Sequence, residues 1–190
     1  MIDFIITMKA TRPLLMHNAR LANPLDQYAK ALKKYTGKRK KTDEDHEAIA
    51  KLEHEGGLYL DPDLGPYVPG ENVMRCLVDG AKLTKQGTSV TRGLLIKDDV
   101  CPLVYAGPRT PQELWEQGYK YMASVKVGTQ RVMRCRPVFY DWRLEAAGTV
   151  DTAVLDLVDV ATIAANAGLM VGLGDWRPRF GRFEVEVTEG

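Results

Sequence analysis

Little in this sequence supports metal or disulfide chemistry. It has three cysteines, Cys76, Cys101 and Cys135, far apart and without a CxxC pair, and three histidines, His17, His46 and His54. A structural zinc site needs clustered ligands, and a secreted disulfide framework needs an even cysteine count in a shorter chain. Buried free thiols are therefore expected, with no metal and no cofactor. No stretch approaches the roughly 18 uninterrupted apolar residues of a membrane-spanning helix. The start, Met1-Ile2-Asp3-Phe4-Ile5-Ile6-Thr7, lacks the basic residues and small-residue cleavage site of a signal peptide, so a cytoplasmic location is expected. The P-loop pattern GxxxxGK(S/T) is missing. Repeats, low-complexity tracts and Gly/Ser/Pro-rich linkers are missing too, and the 190 residues read as a single domain.

What remains is an ordinary globular composition, 45% hydrophobic and 27% charged. A formal net charge of +1 argues against nucleic-acid binding by bulk charge alone. The basic residues are nevertheless segregated. Lys33, Lys34, Lys38, Arg39, Lys40 and Lys41 form one cluster, Arg131, Arg134, Arg136 and Arg143 a second, and Arg177, Arg179 and Arg182 a third, while acids gather around Asp43 to Glu55.

Hydrophobic periodicity gives the elements. Residues 2–10 alternate as a half-buried strand. Asn23-Pro24 reads as a helix start, with a helix over 24–36 ending near Gly37. Thr42-Asp43-Glu44-Asp45 resembles a capping box, which explains its acids as helix-start charges and predicts a second helix to about Glu55. Residues 24–55 thus form a helical-hairpin insertion, with His46 and His54 on its surface. A third helix follows the turn at 65–72, strands follow near 93–97 and 101–105, and Thr110-Pro111 opens a short helix. Residues 121–146 read as a hairpin turning at Gly128-Thr129, with a change of apolar phase at Pro137. An apolar helix over 155–170 and a strand through Phe183, Val185 and Val187 close the chain. The expected class is α+β: a ferredoxin-like (RRM-type) antiparallel core with a helical insertion at about 24–55 and a protruding hairpin at about 121–137.

The most informative segment runs Gly168-Leu-Met-Val-Gly172-Leu-Gly174-Asp-Trp176-Arg177-Pro-Arg179-Phe180-Gly181-Arg182-Phe183. It joins a helix to a strand, the reverse of a Rossmann turn. Glycine lets a backbone approach an anion closely, and Arg177, Arg179 and Arg182 supply forked donors suited to phosphate oxygens. Trp176 and Phe180 offer flat faces for base stacking. The same residues would also make a tight turn with aromatics plugged into a core. On the hairpin, Lys126, Arg131, Arg134 and Arg136 would present a basic ladder or a solvated edge. In the 33–41 cluster, Lys38, Arg39 and Lys40 would contact phosphates or merely solvate a connector.

The glycine-rich segment resembles that of the RAMP superfamily, the RNA-binding and RNA-processing proteins of CRISPR systems. Tyr67-Val68-Pro69-Gly70-Glu71-Asn72-Val73 is similar to the Ile-Pro-Gly-Ser-Ser-Leu turn of their backbone subunits, with Glu-Asn in place of Ser-Ser. Arg12-Pro13-Leu14-Leu15-Met16-His17-Asn18 is placed like their Pro-Leu-His-x-Gly. The chain as a whole is also similar to bacteriophage proteins. The resemblance implies an RRM-like core that lays single-stranded RNA along its surface, in subunits that stack side by side with a hairpin dividing the bases.

The expected function is non-catalytic binding of a single-stranded nucleic acid, RNA slightly ahead of DNA, by a protein that oligomerises along the strand. A phage structural or assembly role, or mimicry of a CRISPR subunit, is the alternative. A second alternative is a metal-independent endoribonuclease using His17 as general base.

Overall fold

The computed structural model describes residues 1–190, apart from the side chains of Val127 and Gln130. In chain order its elements are β1 (Ile2–Ala10), β2 (Leu14–Leu15), α1 (Gln27–Thr36), α2 (Asp43–Gly57), β3 (Leu60–Asp61), β4 (Gly65–Pro69) and α3 (Gly70–Lys82). Then come α4 (Gly87–Gly93), β5 (Leu94–Ile96), β6 (Val100–Pro102), α5 (Pro111–Glu116), β7 (Lys120–Val127), β8 (Gln130–Phe139), β9 (Arg143–Val150), α6 (Leu157–Asn166) and β10 (Phe183–Glu189). The protein is mixed α+β with antiparallel sheets. Among the described residues no helix is long and apolar enough to cross a membrane. The chain divides into two compact units: Met1–Leu14, Leu60–Ala106 and Phe139–Gly190 form the first, Leu15–Tyr59 and Gly107–Val138 the second.

In the first unit, a four-stranded sheet has the order β10-β1-β9-β5, every neighbouring pair antiparallel. Period two decides its faces. Phe4, Ile6 and Met8 of β1 are fully buried, and Leu144 and Ala146 of β9 and Phe183 of β10 join them. The helices α3 and α6, inserted after β1 and β9 in the chain, turn Val73, Cys76, Leu77 and Val160, Ile163, Ala164 inward. Asp156 caps α6 through a reciprocal box with Asp159. The alternate residues Asp3, Lys9, Arg143, Glu145, Glu184 and Glu186 are exposed, so the sheet's other face is charged and carries no aromatic ring. A smaller sheet, β3-β4-β6, delivers β4 directly into α3 at Gly70.

The second unit holds α1, α2, α5 and the hairpin β7–β8. Asp26 caps α1 by accepting from the Tyr28 amide at 2.8 Å, so that helix starts three residues later than Asn23-Pro24 indicates. Asn23 instead forms a local turn, accepting from the Leu25 amide. Thr42 and Asp45 form the expected capping box of α2. The helical stretch 24–55 and the hairpin 121–137, expected as separate decorations of one domain, fall in the same compact unit.

Two elements depart from expectation. The stretch 121–146 is not one hairpin. β8 ends at Phe139, Asp141 takes a positive φ of 47°, and β9 then starts a new strand against β1. That break follows the phase change read at Pro137: Cys135 is buried before it, Val138, Trp142 and Leu144 after it. The helix α4 was not expected at all.

Candidate nucleic-acid interface

The loop between α6 and β10 is internally bonded more than it is open. A π-helical turn at Ala167–Val171 ends on Gly172 at φ 79°, whose amide donates to the Ala167 carbonyl. The amides of Leu173, Phe180 and Gly181 donate to the carbonyls of Gly181, Trp176 and Pro13. The buried glycines Gly172 and Gly181 therefore spend their backbone on the loop and on its neighbours Pro13 and Cys76. Their expected role of facing an anion is corrected accordingly. Phe180 is corrected too: it is buried, with Trp176 stacked on it at 6.1 Å between ring centroids and Arg179 at 5.9 Å from its centroid. It has no face left for a base.

The exposed part of this loop is smaller than the sequence indicated. Gly174, Asp175, Trp176 and Arg177 line one shallow hollow with Met170, Val171 and Pro178. Trp176 remains 39% exposed. Arg177 lies 3.8 Å from the carboxylate of Asp79, which already accepts from Arg75 at 3.1 Å and Lys82 at 2.8 Å. Partial burial opposes ionisation of Asp79, but the hydrogen bonds from Lys82 and Arg75 win and hold its pKa below the usual range. Three cations share the Asp79 carboxylate, and a second carboxylate, Asp175, lines the hollow beside Arg177. Arg182 turns back to donate to the Pro178 carbonyl at 2.8 Å, while Arg179 is exposed.

On the hairpin, register settles which side chains share a face. Lys126 sits opposite Arg131, Ser124 opposite Met133 and Met122 opposite Cys135. Arg134 and Arg136 sit opposite Ala123 and Tyr121, on the other face. The four-membered basic ladder is thus corrected to two pairs on opposite faces, because alternate residues of a strand point opposite ways. Lys126 and Arg131 are exposed beside the Gly128-Thr129 turn, and among the described residues no carboxylate pairs with either. Met122 and Met133 are exposed on the same face.

The inner pair is anchored. Arg134 Nη1 lies 2.6 Å from Glu53 Oε1, and the second oxygen of this buried carboxylate accepts from the Cys135 amide at 2.8 Å. Arg136 donates through Nη1 to the Cys135 carbonyl at 3.1 Å. His17 is exposed and lines a cleft of about 330 Å³ with Leu21, Ala22, Leu32, Glu53, Arg134 and Arg136.

In the connector between α1 and α2, Lys38 is held by Asp45 at 2.6 Å and lies over the Tyr35 ring, while Arg39 and Lys40 are exposed. Lys38 is therefore a clasp across the start of α2, and the outward charge of this cluster rests on its neighbours.

Sequence reasoning missed one polar pair in the second unit. His54, expected on the surface with His46, is fully buried; His46 is exposed. Its Nε2 donates to the Tyr119 carbonyl at 3.0 Å, and the Trp115 ring meets it edge-on at 5.5 Å. Nδ1 is buried with no hydrogen-bond partner. Burial, helped by the charge of Lys120, pulls the His54 pKa down to about 4 against the opposing bond to Tyr119. Ala50, Glu53, His54 and Gly57 recur at helical spacing and are all buried, the one sequence signal that would have exposed the error.

The three cysteines are free and buried, as expected. Burial raises the Cys76 thiol to about 12 and those of Cys101 and Cys135 to about 11, so none is a ready nucleophile. Among the described residues no group of three or more His, Cys, Asp or Glu could hold a metal ion. In comparisons with known proteins, no family model matches the chain and no curated protein matches its sequence.

Proposed function

We propose that this protein binds single-stranded nucleic acid, RNA ahead of DNA, through its phosphate backbone and without catalysis, as a RAMP-like subunit. The carrying observation is the cross-strand pair Lys126 and Arg131 at the hairpin tip. Like charges set directly opposite destabilise a hairpin, and among the described residues no acid relieves these two. A phosphate between them would. Met122 and Met133 on the same face give an adaptable apolar surface for bases beside the charge. In the first unit, the hollow carrying Trp176 and Arg177 is the second candidate contact, a stacking ring next to a guanidinium.

The strand order β10-β1-β9-β5, with one helix after β1 and another after β9, supports a ferredoxin-like reading of the first unit. The charged outer face of that sheet is not the aromatic platform on which RRM domains stack bases, which moves the proposed contact to loops and hairpin. Self-association along the strand is supported by the outer face of α6, where Val158, Thr162 and Ala165 are exposed at helical spacing, with Leu169 a further turn on.

Fluorescence anisotropy with labelled oligouridylate and oligothymidylate tests the reading. Lys126→Gln with Arg131→Gln is expected to weaken binding by roughly tenfold or more and to flatten the dependence of log K on log salt by about 1.4. Equal affinity and an equal salt slope in this double variant would overturn the proposal.

A further inference from the structure

Another hollow of the first unit lies where α3 gives way to α4. It measures about 370 Å³ and is lined by Lys82, Lys85 and Arg92 around Val78, Thr88 and Thr91. Among the described residues no carboxylate lines it. Lys82 donates to Asp79 at 2.8 Å, whereas neither Lys85 nor Arg92 has a carboxylate partner among the described residues. Thr91 donates to the Gly87 carbonyl at 2.9 Å. Two acids border the region: Asp79, shared with Arg75 and Arg177, and Asp159, which accepts from the Gln86 side chain at 3.5 Å. Helix dipoles favour cations in the last turns of α3 and α4, where Lys82 and Arg92 sit. They do not explain the backbone of Lys85. Its φ is 61°, in the left-handed region that residues with a side chain avoid. The turn is a Schellman closure of α3: the Gln86 amide donates to the Ala81 carbonyl at 2.9 Å and the Lys85 amide to the Lys82 carbonyl at 3.2 Å. Glycine is the residue favoured at that position. A lysine there holds a strained conformation and adds an ammonium group to the hollow, and strain of this kind gathers at functional sites.

The lining selects the ligand. A guanidinium fork with two ammonium groups suits the oxygens of a phosphate. The apolar lining is Val78, with no ring on which a base could stack, so recognition is by charge and not by sequence. Arg177, which lines the Trp176 hollow, reaches the same Asp79 carboxylate as Lys82. We propose that Lys82, Lys85 and Arg92 hold backbone phosphates of a single strand whose path continues past Asp79 to Arg177. The assignment rests on the strand-binding reading and gives the first unit a phosphate site of its own, on residues other than the hairpin pair. A lone phosphate ion reaches this hollow only from dilute solution. A strand held at Arg177 supplies its next phosphates at high local concentration.

Fluorescence anisotropy of the full chain with labelled oligouridylate tests the proposal on Lys85→Gly with Arg92→Gln. This double variant is expected to bind roughly tenfold more weakly and to flatten the dependence of log K on log salt by about 1.4. Its loss should add to that of Lys126→Gln with Arg131→Gln, because the two pairs hold different parts of the strand. Lys85→Gly alone should bind several-fold more weakly yet melt about 2 °C higher, since glycine relieves the turn. A lower melting temperature would show that the turn itself requires lysine and would overturn the proposal. Unchanged affinity and salt slope in the Lys85 and Arg92 double variant, with the wild type binding normally, would overturn this site and leave the strand-binding reading standing. Weakening here with none in the Lys126 and Arg131 variant would uphold this site against the hairpin contact. A wild type that does not bind oligouridylate would overturn both. Calorimetric binding of inorganic phosphate that the Lys85 and Arg92 variant abolishes, at unchanged oligouridylate affinity, would overturn the proposal in favour of a free anion.

Discussion

Two neighbouring side chains on α2, Glu53 and His54, show what burial does to a polar residue. Glu53 has both oxygens satisfied and stays paired. His54 has one nitrogen satisfied and keeps its ring neutral. Its folded pKa, about 4, lies below the ordinary 6.5 of the unfolded chain. The unfolded state therefore takes up the proton first. Stability carried by the neutral ring is complete above about pH 6.5 and is lost as pH falls toward 4. At 1.36 kcal/mol per pH unit the loss is at most about 3.4 kcal/mol. His54→Gln keeps a donor for the Tyr119 carbonyl and removes the titration. Chemical denaturation at pH 7 and pH 4.5 is expected to show a smaller loss in this variant than in wild type. An identical loss would mean that the ring contributes nothing to acid sensitivity.

Among the elements, the loop before β10 and the hairpin tip use glycine in different ways. Gly181 has φ 72°, and a Cβ built there would lie 1.7 Å from the Leu173 carbonyl oxygen, a backbone atom that cannot move aside. Gly128 has φ 62° with open space around it. Gly181→Ala is therefore expected to cost several kcal/mol, and Gly128→Ala only the backbone penalty of about 1 kcal/mol. Thermal melts of the two variants compare them directly, and equal losses would contradict the close packing of this loop. Regular periodicity made β1, α2, α3, α6 and β10 readable in the sequence, and capping residues fixed the start of α2. Where one pattern runs into the next, reading failed. Residues 137–150 look continuous because apolar residues persist on both sides of Asp141, and only the backbone turn separates β8 from β9. α4 carries glycines and β-branched residues, a composition that hides a helix. The site was legible as residue types but not as geometry. Arginines and glycines singled out the loop and the hairpin, yet facing across the hairpin and the inward packing of Phe180 depend on partners remote in sequence. The edge strand β10 carries Glu184 and Glu186 outward, a charged border that discourages pairing with another strand.

At the scale of the molecule, the chain changes unit four times, after Leu14, Tyr59, Ala106 and Val138. The strand β8 belongs to both, since it runs from Gln130 to Phe139. Neither unit is closed until segments from distant parts of the chain have met, which ties their unfolding together. Tryptophans mark each unit: Trp115 lies in the second, Trp142 and Trp176 in the first. Variants retaining only Trp115 or only Trp142 are expected to report the same urea midpoint. Separate midpoints would show that the units unfold independently. The interleaving also limits what recombination or engineering can do with this chain. Residues 15–59 and 107–138 would have to be grafted onto another scaffold together, as two inserts, because either one alone arrives without half of its own interior.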